Sequence, residues 1–171
     1  MTRVTNLAPG PTELDQVWGL RDDYYKLFME DYNKSISRGD PVLVELCRLR
    51  IAQLVESRFD LALRYSPAVR AGLSDDKIAA LPRYPTSEVF TERERICLEF
   101  TEQFVISSSA ISDEDVARVM TVLTPEEFIH LCKALSVMDQ FARASSAFRL
   151  APPPVVPPTM PDFLLPAQAD A

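Results

Sequence analysis

Four helix starts constrain the fold of this chain more than any other sequence feature. Asp40 precedes a proline, which places a capping carboxylate before a residue suited to the first helical turn. Thr91 and Thr124 each open a capping box with a glutamate three residues later, and Ser112 precedes an acidic first turn. Because no segment shows two-residue apolar alternation bounded by hairpin turns, the sequence predicts an all-α protein.

Apolar spacing and prolines set the domain limits. Residues 1–11 are expected to form a flexible lead-in, followed by a helix over 12–37 that an interruption at Gly19 can divide. A second helical stretch runs from Pro41 towards Arg64, with a kink or restart near Glu56-Ser57. The sequence therefore predicts a single all-α domain of about six to seven helices over residues 12–151.

Residues 152–171 form a proline-rich tail. Its prolines are expected to exclude helix and sheet and to favour extended conformations. We expect the tail to be partly ordered. The apolar run Phe163-Leu164-Leu165 is unusual for a linker, however, so this part could instead dock onto a neighbouring subunit.

Composition weighs against several classes of function. The net charge of −7 and the pI of about 4.8 argue against nucleic acid or an anionic membrane as main partner, since both reward basic surface. No apolar run approaches the roughly 20 residues needed to span a bilayer. The polar, proline-broken start is not that of a signal peptide. We therefore expect a cytoplasmic protein.

The cysteines and the single histidine limit the chemistry further. Cys47, Cys97 and Cys132 form no C-x-x-C and are bracketed by apolar residues, so we interpret them as free thiols packed as small hydrophobes. A weaker alternative keeps a thiol redox function at Cys47 or Cys132. With His130 as the one histidine, a multi-histidine metal site within one chain is excluded. The sequence predicts neither a metal nor a cofactor.

One apolar helical stretch carries an unusual number of ionisable side chains. Glu45 and Arg48 lie three residues apart, and Asp60 and Arg64 lie four apart, which are ion-pair spacings on a helix face. These groups could be structural salt bridges or solvated charges. Alternatively, one carboxylate has a raised pKa and acts as general acid or base, while Arg64 or Arg50 holds an anionic substrate oxygen.

Several segments together resemble the alkylhydroperoxidase D and carboxymuconolactone decarboxylase superfamily. The resemblance covers roughly residues 40–150 and rests on the order of ELCRLRIAQ, RAGLSDDKIAALP, FTERERICLEFTE and ISDEDVARVMTVLTPEEFIHLCKAL. It implies an all-α helical bundle that assembles as trimers or hexamers, with active sites near subunit contacts.

The redox branch of that superfamily uses a glutamate, two cysteines and a histidine. Glu45 matches the glutamate, but Ser57 and Asp60 stand at the cysteine positions and Arg64 stands at the histidine position. A hydroxyl cannot form a disulfide, and a carboxylate cannot replace the thiolate that attacks a peroxide. Thiol peroxidase chemistry at this site is therefore excluded.

The non-redox branch resembles the chain more closely. Its members show a small residue, an aromatic residue and an acid, which Ser57, Phe59 and Asp60 match. Arg64 again replaces a histidine, and an arginine stays charged where a histidine exchanges protons near neutral pH.

The resulting hypothesis is a non-redox acid–base enzyme of decarboxylase, isomerase or lyase type. Its substrate would be a small anionic or carbonyl-bearing metabolite, and the protein would be a homo-oligomer. The alternative is a catalytically silent oligomeric binding or structural protein of the same fold. For the enzyme, the resemblance implies the catalytic residues Glu45, Asp60 and Arg64 and the substrate-binding residues Arg50, Ser57 and Phe59.

Overall fold

The computed structural model describes residues 2–154 and 164–166, which are mostly helical. The helices are α1 Glu13–Trp18, α2 Asp22–Ile36, α3 Pro41–Leu54, α4 Arg58–Leu61, α5 Ser66–Arg70, α6 Asp75–Ala80, α7 Glu92–Ser107, α8 Asp113–Val119 and α9 Pro125–Phe148. Two short strands, β1 Leu63–Tyr65 and β2 Leu164–Pro166, pair antiparallel. The predicted all-α class is confirmed. The helices outnumber the six or seven predicted because several are only one or two turns long. None of the described helices is long and apolar enough to cross a membrane.

The helix starts predicted from the sequence are confirmed. The Asp40 side chain accepts hydrogen bonds from the first two free amides of α3. Thr91, Ser112 and Thr124 each form a complete capping box at the starts of α7, α8 and α9. These caps satisfy backbone donors that the first helical turn leaves unpaired.

The helical stretch towards Arg64 is divided at the predicted restart near Glu56-Ser57. Helix α3 ends at Leu54, and the chain restarts at Ser57, whose side chain caps α4. Between them Glu56 has a φ of 54°, a left-handed conformation that is uncommon outside glycine. The chain therefore turns sharply before α4, and Arg64 lies in β1 rather than in a helix.

Helix α3 lies at the centre of the core. It packs against α7 and α9, and α9 also packs against α2. Phe141 of α9 lies at the centre of the aromatic part of this core. Its ring centroid is 5.8 Å from that of Phe28, 5.3 Å from that of Tyr32 and 5.8 Å from that of Phe59. Such pairs add packing energy beyond the burial of their area. Because α3 is surrounded on several sides, its charged residues Glu45 and Arg48 are buried with it.

The tail differs from its prediction. Its prolines were expected to exclude sheet, yet residues 164–166 form β2 against β1. A proline is tolerated in a strand at a sheet edge, where its missing N–H is not required. Leu164 is 1% exposed, so this segment docks on its own chain. Phe163, also expected to dock, lies outside the described residues.

The predicted lead-in runs back along the end of α9. The backbone N–H of Arg3 donates a hydrogen bond to the carbonyl of Phe148 over 2.9 Å, and the hydroxyl of Thr2 donates to the same oxygen over 2.9 Å. These contacts hold the start of the chain beside the end of the last helix. The flexibility expected for residues 1–11 stays a prediction.

Removal of a helix cap tests the contribution of these local signals. Thr124→Ala deletes the oxygen that accepts a hydrogen bond from the Glu127 amide at 3.2 Å. We expect the free energy of unfolding to fall by about 1 kcal/mol, measured by urea denaturation followed by circular dichroism. The control is Ser109→Ala, an exposed position without a capping role. Equal losses in both variants would contradict the assignment.

Candidate functional site

The centre of the predicted site is a buried ion pair on α3. Arg48 Nε lies 2.6 Å from Glu45 Oε2, and Arg48 Nη2 lies 2.9 Å from Oε1. Glu45 is 0% exposed and Arg48 is 2% exposed. Burial alone lowers the pKa of Arg48, but the carboxylate of Glu45 outweighs it and the pKa lies above its ordinary value. The predicted pairing is thus confirmed, in a bidentate form.

This ion pair joins three elements of the fold. Arg48 Nη1 donates to the carbonyl of Asp60 over 2.9 Å, and Nη2 donates to the carbonyl of Leu63 over 2.8 Å. On the other side of the pair, Glu45 Oε1 accepts a hydrogen bond from the Tyr65 amide over 3.1 Å. The pair therefore connects α3 with α4 and with β1.

Asp60 and Ser57 form the second part of the cluster. The Ser57 hydroxyl donates to Asp60 Oδ2 over 2.5 Å, while the Asp60 amide donates to Ser57 Oγ over 3.3 Å. Burial raises the pKa of Asp60 to about 6, although Arg48, with Nη1 3.8 Å from Oδ1, and Ser57 act to lower it. A carboxyl with this pKa can take up and release a proton near neutral pH.

Tyr32 of α2 belongs to the same region and was missed by the sequence analysis. Its side chain is 1% exposed, and its hydroxyl has no hydrogen-bond partner among the described residues. Burial raises the pKa of Tyr32, against the opposing charge of Arg48, so the phenol stays neutral. A tyrosine in an apolar helix pattern looks like any other core residue, and no local signal distinguishes this one.

Arg64 does not form the ion pair with Asp60 that their spacing predicted. Because α4 ends at Leu61, Arg64 is not on a helical face shared with Asp60. Its Nη1 donates instead to the carbonyls of Leu61 and Leu63, both over 2.8 Å. The side chain is half-buried, and burial lowers the pKa of Arg64. The ion-pair prediction was therefore wrong, although Arg64 lies beside the cluster through β1.

Arg50 and Phe59 make their contacts elsewhere. Arg50 pairs with Glu102 of α7 over 2.6 Å and donates to Gln53 over 2.9 Å. It lies two residues after Arg48, which turns it to the other side of α3. Phe59 is 1% exposed and packs edge-on against the aromatic core. The structure does not bring Arg50 to the cluster, and it makes Phe59 a core residue.

The cysteines are poorly placed for redox chemistry. Cys47 and Cys97 are both 0% exposed, and all three cysteines are free thiols. Burial raises the pKa of Cys47 to about 12 and that of Cys97 to about 11, and it also raises the pKa of Cys132. Because the thiolate is the reactive form, these environments suppress reactivity at neutral pH.

Other polar clusters do not join the predicted site. In the part of the chain that the structure describes, no three His, Cys, Asp or Glu side chains are arranged to hold a metal ion. A small pocket of about 30 Å³ lies beside Asp40, Arg93, Glu127 and His130, and neither Glu45 nor Arg48 lines it. The ring nitrogen Nε2 of His130 is 2.7 Å from the carbonyl oxygen of Arg38, which makes it a surface contact.

Comparison with known sequences finds similarity to a distant relative. No model of a known protein family matches the chain. The uncharacterized protein YnjA of Escherichia coli K12 is 25% identical over 108 residues, which is 63% of this chain. The match spans 59% of the length of that relative.

Comparison with solved structures defines the fold. One similar structure is a protein of unknown function from Agrobacterium tumefaciens, with a suggested role as the antioxidant defence protein AhpD. Its TM-score is 0.73 at 20% sequence identity, and the match covers 85% of this chain and 99% of that one. Uncharacterized peroxidase-related proteins from Silicibacter sp. and Ralstonia eutropha, the latter with an alkylhydroperoxidase AhpD core, have TM-scores of 0.73 and 0.70. Each is 12% identical and covers 84% of this chain and 77% of its own. The chain has the AhpD-like fold, as the resemblance predicted.

The buried ion pair can be tested by removing its cation. Arg48→Met leaves the Glu45 carboxylate buried without its partner, so we expect a loss of about 3–5 kcal/mol in the free energy of unfolding. Urea denaturation provides the measurement. Arg118→Met breaks the exposed pair with Glu99 and is the matched control, with a much smaller expected effect. Similar losses in the two variants would contradict the structural role of Arg48.

The raised pKa of Asp60 predicts a pH dependence of stability. Its protonated form stabilises the folded state below about pH 4, and this contribution is lost as pH rises through about 6. Asp60→Asn removes the titration. Between pH 4 and 7 the variant should gain on the order of 2–3 kcal/mol relative to the wild type, measured by urea denaturation. Asp113→Asn controls for loss of an exposed carboxylate, and a pH-independent difference at Asp60 would refute the shift.

Proposed function

We propose that this protein is a non-redox acid–base enzyme in which Asp60 carries the proton. The observation behind the proposal is a buried carboxyl, hydrogen-bonded by Ser57 over 2.5 Å, whose pKa is raised to about 6. General acids and bases are most effective when their pKa lies near the working pH. The reaction class is proton transfer next to a carbonyl, as in decarboxylation, isomerisation or elimination on a small anionic or carbonyl-bearing substrate.

Two arginines supply positive charge for such a reaction. Arg48 is held by Glu45 and has Nη1 3.8 Å from Asp60 Oδ1, where it would stabilise negative charge developing on a substrate oxygen. Arg64, half-buried in β1, would hold a substrate carboxylate at the edge of the cluster. Both oxygens of Glu45 already accept hydrogen bonds, so Glu45 acts as a positioning residue for Arg48.

Tyr32 would complete the site as a hydrogen-bond donor. Its hydroxyl is buried and lacks a partner among the described residues, a costly arrangement that a substrate oxygen would relieve. Its pKa also responds to the charges of Arg48 and Asp60, so it lies within their field. A neutral phenol can donate to a carbonyl oxygen without exchanging its own proton.

The likeness to peroxidase-related structures concerns the fold and does not extend to this chemistry. Ser57 and Asp60 stand where the redox branch has cysteines, and the buried thiols of Cys47 and Cys97 have raised pKa values. A peroxidatic cysteine needs an accessible thiolate. These features support a non-redox function.

A catalytically silent binding or structural protein is the second candidate. The supporting observation is the complete burial of the cluster, with Glu45 and Ser57 at 0% exposed and Arg48 and Asp60 at 2%. A buried polar network with satisfied hydrogen bonds can fix the arrangement of its elements without any chemistry. In that case the cluster would serve the fold alone.

For either function we propose a cytoplasmic homo-oligomer, a trimer or hexamer as the superfamily resemblance implies. Tyr24 and Leu27 support a subunit contact. They are 56% and 65% exposed and lie three residues apart on α2, which places them along one side of that helix.

Hydrogen exchange into substrates tests the enzymatic proposal. The full-length protein is incubated in D₂O with a panel of small 2-oxo acids, 3-oxo acids and lactones. Proton NMR follows loss of the substrate signal next to the carbonyl and the appearance of product signals, with incubations without protein as the blank. We expect turnover of at least one compound class, with Asp60→Asn reducing the rate by about 100-fold or more. Arg64→Ala should act mainly on KM. Cys132→Ser is the matched control and should leave the rate unchanged.

Three outcomes would contradict the proposal. Equal rates for the wild type and Asp60→Asn would remove Asp60 from the chemistry. Absence of exchange across the panel would favour the silent protein. Turnover of an organic hydroperoxide with a dithiol reductant, lost in Cys132→Ser, would instead support thiol chemistry.

A further inference from the structure

Strand β1 lies between the buried cluster and the C-terminal strand β2 and contacts both. On one edge, the carbonyl of Leu63 accepts a hydrogen bond from Arg48 and the amide of Tyr65 donates to Glu45. In a strand, backbone groups of alternate residues point to opposite edges. The backbone groups of Arg64 therefore face the other edge, where β2 lies.

The register of the strand pair agrees with this geometry. Leu63 is opposite Pro166, Arg64 is opposite Leu165, and Tyr65 is opposite Leu164. Because Pro166 has no N–H, the Leu63–Pro166 pair cannot exchange two hydrogen bonds. The hydrogen-bonded pair is therefore Arg64 with Leu165, and the proline occupies a position that needs no donor.

Leu164 supplies the apolar part of the contact. It is 1% exposed and belongs to the main hydrophobic core, as do the buried side chains of Leu63 and Tyr65. The contact nevertheless comprises three residues of a two-stranded sheet, a unit that is marginal by itself. Such small peripheral elements open at lower free energy than the core helices.

We propose that residues 164–166 form a removable cover over the acid–base cluster. In this structure β2 occupies the outer edge of β1, the inner edge of β1 is hydrogen-bonded to Arg48 and Glu45, and Asp60 is 2% exposed. Release of β2 leaves the outer edge of β1 unpaired and allows β1 to move away from the cluster. The occupant of the β1 edge is the tail of the same chain, and its release gives a small substrate access. The role in catalysis rests on the proposed function, whereas the cover itself does not.

Two substitutions in the full-length chain separate seating of the strand from stability of the bundle. Leu165→Pro removes the N–H of the hydrogen-bonded pair, and Leu164→Asp places a charge in a buried apolar position. Leu165→Ala keeps the N–H and is the matched control. Circular dichroism establishes that the helical bundle stays folded in all variants.

Two measurements report release of the cover. Hydrogen–deuterium exchange of residues 61–66 should become about tenfold faster or more in Leu165→Pro and Leu164→Asp, and should stay unchanged in Leu165→Ala. Labelling of the Asp60 carboxyl by a water-soluble carbodiimide and glycinamide, located by mass spectrometry, should accelerate in the same two variants. Neither readout requires a substrate.

The possible results are distinguishable. Unchanged exchange at residues 61–66 in both variants would overturn the cover. Faster exchange without faster labelling of Asp60 would also overturn the cover. In that case β2 would restrict the motion of β1 without protecting Asp60 from solvent. Exchange that slows with protein concentration would overturn seating by the same chain, since the strand would come from a second copy. Faster labelling of Asp60 without turnover of any substrate would support the cover and count against the proposed function.

Discussion

The buried ion pair between Glu45 and Arg48 is the interaction on which the geometry of the site depends. One guanidinium binds the carboxylate on α3 and also the carbonyls of Asp60 and Leu63, so it fixes where α4 ends and where β1 begins. Removing two charges from water costs several kcal/mol per ion, and only nearly complete hydrogen bonding offsets it. A displaced α4 or β1 would leave part of this network unpaired. The pair thus selects one arrangement of three elements.

The two carboxyl groups in this cluster differ in their hydrogen-bond partners. Glu45 accepts two hydrogen bonds from the Arg48 guanidinium and one from the Tyr65 amide, so both of its oxygens are occupied. Asp60 has a hydroxyl partner at 2.5 Å and the nearest guanidinium nitrogen at 3.8 Å, so the cost of burial is less fully offset and its pKa rises. In enzymes, neighbouring titratable groups in such different environments are commonly the ones that act as general acid or base.

The parts of the structure that depend on residues close together in sequence are predictable from the sequence. The caps at Asp40 and Thr124, the restart at Ser57 and the Glu45–Arg48 pair all follow from spacings of a few positions. The superfamily resemblance predicted the fold, which the solved structures confirm.

The errors in the candidate site come from contacts between residues far apart in sequence. Arg50 pairs with Glu102, 52 residues later in the chain, and not with the buried cluster. Arg64 was placed on a helix because nothing local showed that its backbone would pair with a strand about a hundred residues away. Tyr32 joins the site from a preceding helix, and only tertiary packing brings its hydroxyl there. Local patterns carry no information on such placements.

The proline in β2 also affects how the protein behaves among its own copies. An unpaired strand edge offers a row of donors and acceptors on which another chain can build, which is a common route to aggregation. Here the backbone groups of Leu164 and Pro166 point away from β1, because those of Leu165 are paired with Arg64. Since a proline has no N–H, Leu164 is left as the one donor in the three-residue strand. The outer edge of β2 therefore presents fewer backbone donors to another chain than a three-residue strand without proline would.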